Sequence, residues 1–216
     1  MTRFFFYIFL FLANLLIALK LQANLQSEDS KLRLYVLECG HMDMSGWPYF
    51  EEMYGVQHDA VEIAAQANPC FLVVNGDKSL IWDGGFPDYT PASPSPGPHG
   101  VIVSMPVKLN DQLAEIGISP REIDYFAVSH LHFDHLGNWS YFKTSEIIVQ
   151  ELEWEAATSK NLENQIGYDS SITANLADLD NLQLINGDYD VFGDGSVMLI
   201  YAPGHTNGSQ FIVVKL

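Results

Sequence analysis

His130-Leu131-His132-Phe133-Asp134-His135 puts three of the chain's seven histidines and a carboxylate into one short run. Immediately upstream, Ile123-Asp124-Tyr125-Phe126-Ala127-Val128-Ser129 is an apolar, β-favouring stretch that reads as a buried strand. The cluster therefore falls where a strand passes into a loop, and loops on rigid scaffolds are where chemistry is usually placed. Imidazole nitrogens and carboxylate oxygens suit Zn²⁺ and, less selectively, Fe, Mn, Co or Ni. Consecutive residues cannot all serve one tetrahedral ion without strain. Two neighbouring ions use them better, with His130 and His132 on one and Asp134 and His135 on the other. The plain alternative, a polar surface loop rich in histidine, does not explain why three of seven histidines gather at one strand end.

Working outward, Leu80-Ile81-Trp82-Asp83-Gly84-Gly85 is a strand that ends in an aspartate and two turn glycines. With Pro69 to Val74 it makes a hairpin closed by Asn75-Gly76-Asp77-Lys78. Downstream, Glu146 to Gln150 is a short strand, and Glu151 to Thr158 is helical by composition. Residues 159–181 are polar and weakly periodic, a helical flap in which Tyr168 is a candidate substrate contact. Tyr189 to Phe192 and Ser196 to Tyr201 form a second hairpin, and Gln210 to Leu216 a final strand. Between the hairpin and that strand, Tyr201-Ala202-Pro203-Gly204-His205-Thr206 sets a histidine on a tight turn. A lone turn histidine is ordinarily a satisfied polar residue, yet the first ion lacks a third ligand and His205 supplies one.

The H-x-H-x-D-H pattern after a hydrophobic strand resembles the signature of the metallo-β-lactamase fold superfamily. Within it the chain looks like the N-acyl-homoserine-lactone lactonase branch. The stretches at 80–85, 147–150, 187–189 and 201–206 carry the likeness, which runs from about Leu32 to the last residue. The resemblance implies an α+β fold, a four-layer αββα sandwich with the metals at one edge between the two sheets. It implies two Zn²⁺ ions, the first held by His130, His132 and His205, the second begun by Asp134 and His135. Asp83 would pack behind the metal loop and orient a ligating histidine. A metal-bound hydroxide would open a lactone or related ester, with Asp134 taking a proton from the attacking water. β-Lactams and glutathione thioesters are alternative substrates for the same chemistry. The oxygen-reducing diiron relatives fit less well, because His132 stands where they carry a glutamate. No G-x-S-x-G nucleophile elbow and no zinc-type cysteine spacing competes.

The family pattern also calls for a bridging aspartate, a further histidine and a tyrosine downstream of the third ligand. The sequence ends eleven residues after His205 and supplies none of them. The expectation is a sandwich with its C-terminal part incomplete, a partial second metal site and weak turnover. A non-catalytic, metal-binding relative is therefore the alternative of a different class.

A length of 216 residues suits one domain, and 48% apolar content permits a sizeable core. The formal charge of −17 argues against nucleic acid and against anionic membrane surfaces. A small-molecule substrate is the expected partner, and a homodimer stays open. Residues 98–99 close a proline-dense stretch, Pro87, Pro91, Pro94, Pro96 and Pro98, that reads as an extended loop. Leu109, Leu113 and Ile116 predict a helix over 106–116, and Ser119-Pro120-Arg121-Glu122 matches a capping box. Cys39 and Cys70 either pair or remain two buried thiols. His41, His58 and His99 receive no role.

Arg3 precedes an apolar run from Phe4 to Leu19, interrupted only by Asn14. That is the layout of a signal peptide, with cleavage after Ala23, and the run is shorter than the ~20 residues a spanning helix needs. Residues 1–23 are thus read as a leader and 24–216 as the hydrolase domain of a secreted or periplasmic protein. Leu21 is large for its place before the cleavage site, so an uncleaved anchor stays open. Intact-mass analysis of exported protein should find Asn24 as the new N-terminus; soluble cytosolic protein retaining Met1 would refute the leader.

Overall fold

The computed structural model describes residues 32–44, 55, 65–97, 100–159 and 167–216. The expected leader, His58, His99 and part of the expected 159–181 flap lie outside the described residues. Among the described residues there are eleven strands: β1 (Arg33–Asp43), β2 (Ala65–Asn75), β3 (Lys78–Trp82), β4 (Ser95–Pro96), β5 (Ile102–Ser104), β6 (Tyr125–Ala127), β7 (Glu146–Gln150), β8 (Leu182–Ile185), β9 (Tyr189–Asp190), β10 (Val197–Tyr201) and β11 (Gln210–Val214). The α-helices among the described residues are α1 (Leu109–Glu115), α2 (Phe133–Leu136), α3 (Glu151–Thr158) and α4 (Ser170–Ala177). One sheet has the order β4-β5-β1-β2-β3-β6-β7-β8, and a second has β11-β10-β9. From β3 to β8 the large sheet is parallel, and its other pairs are antiparallel.

Period-two alternation assigns the two faces of the large sheet. Cys70, Leu72, Val74, Ile81, Phe126, Ile147 and Val149 join a core with Leu109 and Leu113 of α1, Ala157 of α3 and Leu176 of α4. Their neighbours Val73, Leu80, Trp82, Ala127 and Ile148 face the other way, against Val197 and Leu199 of β10 and Ile185, Val191 and Phe192. A central strand covered on both faces is apolar at nearly every position, which is why these strands read as continuous hydrophobic runs. Helices on one side of a large sheet and a second sheet on the other give three layers of the αββα sandwich. No helix covers the outer face of the small sheet among the described residues. Phe211 and Val213 point outward there, 49% and 36% exposed.

Several predicted boundaries shift. β1 is long, Arg33–Asp43, and carries His41 near its end. A bulge between Glu38 and His41 lets this end pair with both β2 and β5. Gln112 of α1 braces the bulge, its amide giving 2.7 Å to the Glu38 carbonyl and taking 2.9 Å from the Glu38 N–H. β8 was not expected from its sequence. Leu182-Gln183-Leu184-Ile185 is short and interrupted by a polar residue, and becomes a strand through parallel pairing with β7. The capping box at Ser119 and Glu122 forms as predicted.

Cys39 and Cys70 are joined in a disulfide across β1 and β2, with a Cα–Cα distance of 5.6 Å and a sequence separation of 31. Both are fully buried. Closing a loop of that length in the unfolded chain is worth about 3–4 kcal/mol in the chain-entropy description. A Cys39→Ala/Cys70→Ala chain should lose stability of that order in denaturant titration; an unchanged midpoint would show that the bridge is dispensable.

Candidate metal centre

The site is assembled by strands that end side by side. β3 and β6 run parallel with Trp82 opposite Ala127. Asp83 and the loop after Ala127 therefore leave the sheet at the same edge, where ligands gather in parallel sheets. Asp83 adopts a left-handed backbone, φ 62°, unlike any other described non-glycine residue. Such a conformation persists only where the surroundings over-determine it. Here the Asp83 N–H donates to the Ala127 carbonyl at 2.9 Å. Its carboxylate accepts from the Ser129 N–H at 2.6 Å and from Nδ1 of His135 at 2.9 Å. α2 starts directly after His132 and is pressed onto the β3 loop. A Cβ on Gly137 would lie 2.1 Å from the Pro87 nitrogen, so only glycine permits that approach. On the other sheet, β10 ends at Tyr201 and the turn that follows carries His205, with the Ala202 N–H on the Ser209 carbonyl at 2.9 Å.

Two groups of donors result. Ligand atoms of His130, His132 and His205 all lie within 4.8 Å of one another, and so do those of His130, Asp134 and His135. Nδ1 of His132 and Nε2 of His205 are 3.2 Å apart. The ring of His130 stands 4.4 Å from that of His132 and 4.6 Å from that of His205 between centroids. Nε2 of His130 is buried and has no hydrogen-bond partner, an arrangement that buried polar atoms rarely tolerate. A divalent ion accepting that lone pair resolves it. His130 falls in both groups, but a neutral imidazole has one free lone pair, so it can serve one ion only, as the sequence assigned it.

Electrostatics fits the same reading. Burial, followed by the neighbouring imidazoles of His135, His132 and His205, holds His130 far below the ordinary histidine range. Burial, with His205 and His135 beside it, lowers His132 to about 3. Both rings are therefore neutral at pH 7, the form that ligates a metal. Burial also works against charge on His135, but the field and hydrogen bond of Asp83, helped by Asp134, raise it to about 9. With Nδ1 committed to Asp83, Nε2 of His135 faces Asp134 Oδ2 at 3.4 Å. A cleft of about 300 Å³, lined by Met42, Asn68, Phe71, Asp83, Asp134 and His135 among others, adjoins this second group.

Tyr168 sits at the site with its ring 4.7 Å from that of His132. Its hydroxyl, expected to meet substrate, instead donates inward to Glu153 at 3.0 Å. Glu153 itself was missed. It is buried at the start of α3, and in sequence it is one of several glutamates in an ordinary helix opening, a position favoured by the helix dipole alone.

The family profile of the metallo-beta-lactamase superfamily matches residues 65–215. The N-acyl homoserine lactonase AttM of Azorhizobium caulinodans is 32% identical over 162 residues, covering 68% of this chain and 59% of the relative. An N-acyl homoserine lactonase of Bacillus cereus is 37% identical over 103 residues, 48% of this chain and 37% of the relative. The chain thus spans about three fifths or less of the length of these relatives. Among solved structures, an N-acyl homoserine lactone hydrolase with N-hexanoyl-L-homoserine bound at its catalytic metal centre superposes with a TM-score of 0.63. It is 25% identical, and the match covers 84% of this chain and 69% of that one.

Purified from metal-replete cells, the chain should carry at least one equivalent of a divalent transition metal. His132→Ala should lose most of it while keeping its far-ultraviolet circular dichroism. Elemental analysis showing a folded, metal-free wild type, or a variant still fully loaded, would refute the assignment.

Proposed function

The chain belongs to the metallo-β-lactamase superfamily, and from that premise we propose a metal-dependent hydrolase that opens lactones or related esters, N-acyl-homoserine lactones first among them. The observation that carries this is the buried, unpartnered Nε2 of His130 beside the nitrogens of His132 and His205. The named relatives and the structural neighbour support the substrate class.

His130, His132 and His205 would hold the first ion, and Asp134 and His135 would begin the second site. Zinc suits this nitrogen and oxygen donor set. When bound, such ions lower the pKa of water to near ~7 and polarise a carbonyl. The protein's part is position and proton handling. His130 and His132 enter without protons to displace. Asp83 fixes the tautomer of His135, so that its Nε2 is the nitrogen presented. Asp134 would accept the proton of the attacking water. The ring-opened product leaves a carboxylate and a hydroxyl. Residues 24–216 would form the hydrolase domain, exported by a leader over 1–23. A homodimer is part of the proposal.

The decisive assay follows lactone opening by the chain loaded with Zn²⁺, Co²⁺ or Mn²⁺, using a pH indicator and short- and long-chain N-acyl-homoserine lactones beside a simple aromatic lactone and a β-lactam. Lactones should turn over ahead of the β-lactam, chelation should abolish turnover, and metal should restore it. Asp134→Asn, which removes the proton acceptor and a carboxylate ligand of the second site together, should cost at least about 10²–10⁴ in rate. Turnover that survives chelation, or a preference for the β-lactam, would overturn this function.

A further inference from the structure

The carboxylate of Glu153 is buried, 1% exposed, and lies against no described lysine or arginine. Each of its oxygens accepts two hydrogen bonds. Oε1 takes the Leu131 N–H at 2.9 Å and the Tyr168 hydroxyl at 3.0 Å. Oε2 takes the Thr206 hydroxyl at 2.6 Å and the Gly208 N–H at 3.1 Å. Leu131 is the residue between His130 and His132, Tyr168 packs on His132, and Thr206 follows His205. One anion thus touches every segment that bears a ligand of the first group.

The contacts are close enough to set position. A Cβ on Gly208 would lie 2.2 Å from the Glu153 nitrogen, so the His205 turn rests directly on the start of α3. The His132 segment is clasped from the other side, with Phe133 N–H on the Gly167 carbonyl at 2.8 Å and a bridge between His132 and Tyr168. β6 and β7 belong to one sheet and the His205 turn follows the other, so nothing in the strand pairing fixes the distance between His205 and the other two rings. Gln210 of β11 spans the gap to the strand side of the loop, its N–H on the Ser129 carbonyl at 2.9 Å and its Nε2 on the Val128 carbonyl at 2.8 Å, and the four-fold acceptor adds the tie to the His205 turn itself.

We infer that Glu153 is a positioning residue of the metal centre: it locks the His130–His132 loop to the His205 turn and places a buried negative charge behind the three imidazoles. It rests on the metal reading of those histidines. Four donors demand an acceptor-only group, and a neutral acid or an amide would turn a donor toward some of them. Tyr168 keeps its proton for this role, its pKa raised by burial and then by Glu153. Groups that hydrogen-bond a ligating side chain are worth about 10–100-fold in metal affinity, and Glu153, which holds the backbone segments of three ligands instead, is expected within that range.

The test is Co²⁺ titration of the metal-stripped full chain, read by visible d–d absorption and by competition with Zn²⁺, beside thermal melts without metal. Glu153→Gln should raise the Co²⁺ dissociation constant about 10–100-fold and alter the d–d band. Tyr168→Phe and Thr206→Val, each removing one donor, should each cost about tenfold, at the lower end of that range, and they decide the matter if Glu153→Gln does not fold. Variants that melt lower yet bind Co²⁺ with wild-type affinity and spectrum would make Glu153 structural only and overturn the inference alone. A folded wild type that takes up neither metal would overturn the metal reading and this inference with it.

Discussion

The parallel pairing of β3 with β6 is the constraint on which the rest of the site depends. It fixes Trp82 beside Ala127, so the two chains turn out of the sheet together. The first residue past β3 is Asp83, and its carboxylate reaches the Ser129 N–H and the His135 ring at once. A one-residue slip would exchange inward and outward faces along both strands. Leu80 and Trp82 would then leave the inter-sheet core, and Asp83 would point away from the histidines. Core packing and site geometry are thus set by the same register, and the left-handed backbone of Asp83 is sustained by that double lock.

Charge is arranged around this frame with economy. The chain is strongly acidic, yet the described carboxylates nearest the imidazoles are not neutralised by lysine or arginine. Asp83 is paired with a histidine, Glu153 with N–H and O–H dipoles. Glu153, solvated by dipoles alone, leaves a negative field in a low-dielectric pocket, which favours a cation there. The imidazoles of His130 and His132 cannot be that cation, because burial and mutual repulsion strip their protons.

Much of this was legible in the sequence, for identifiable reasons. His130, His132, Asp134 and His135 are close in sequence, so their proximity follows from chain connectivity. Asp83 and His205 are remote: Asp83 came within reach through family likeness, and His205, 73 residues from His132, through its tight-turn pattern and the third ligand that the first ion lacked. β7 and α3 were correctly bounded because a β-branched apolar run gives way abruptly to helix formers. β8 was lost because its strand character lies in its partner. The β1 bulge was lost because two neighbours share one strand end. The Cys39–Cys70 bridge stayed undecided, since pairing depends on a strand register that two isolated cysteines do not encode.

Glu153 marks the deeper limit. Its importance is a property of three backbone segments that meet only after folding, and none of the four donors lies within its own helix. Ligands are chosen for what they bind, and such residue types announce themselves. The group that holds ligand-bearing loops together needs only acceptor capacity in a dry place, which any glutamate can offer. Its identity is revealed by burial: an acid at 1% exposure with every lone-pair direction used is sustained against a desolvation penalty that surface glutamates never meet. That penalty is tolerable because the four donors would otherwise be buried without partners, so anion and loops stabilise one another, and neither arrangement is favourable alone.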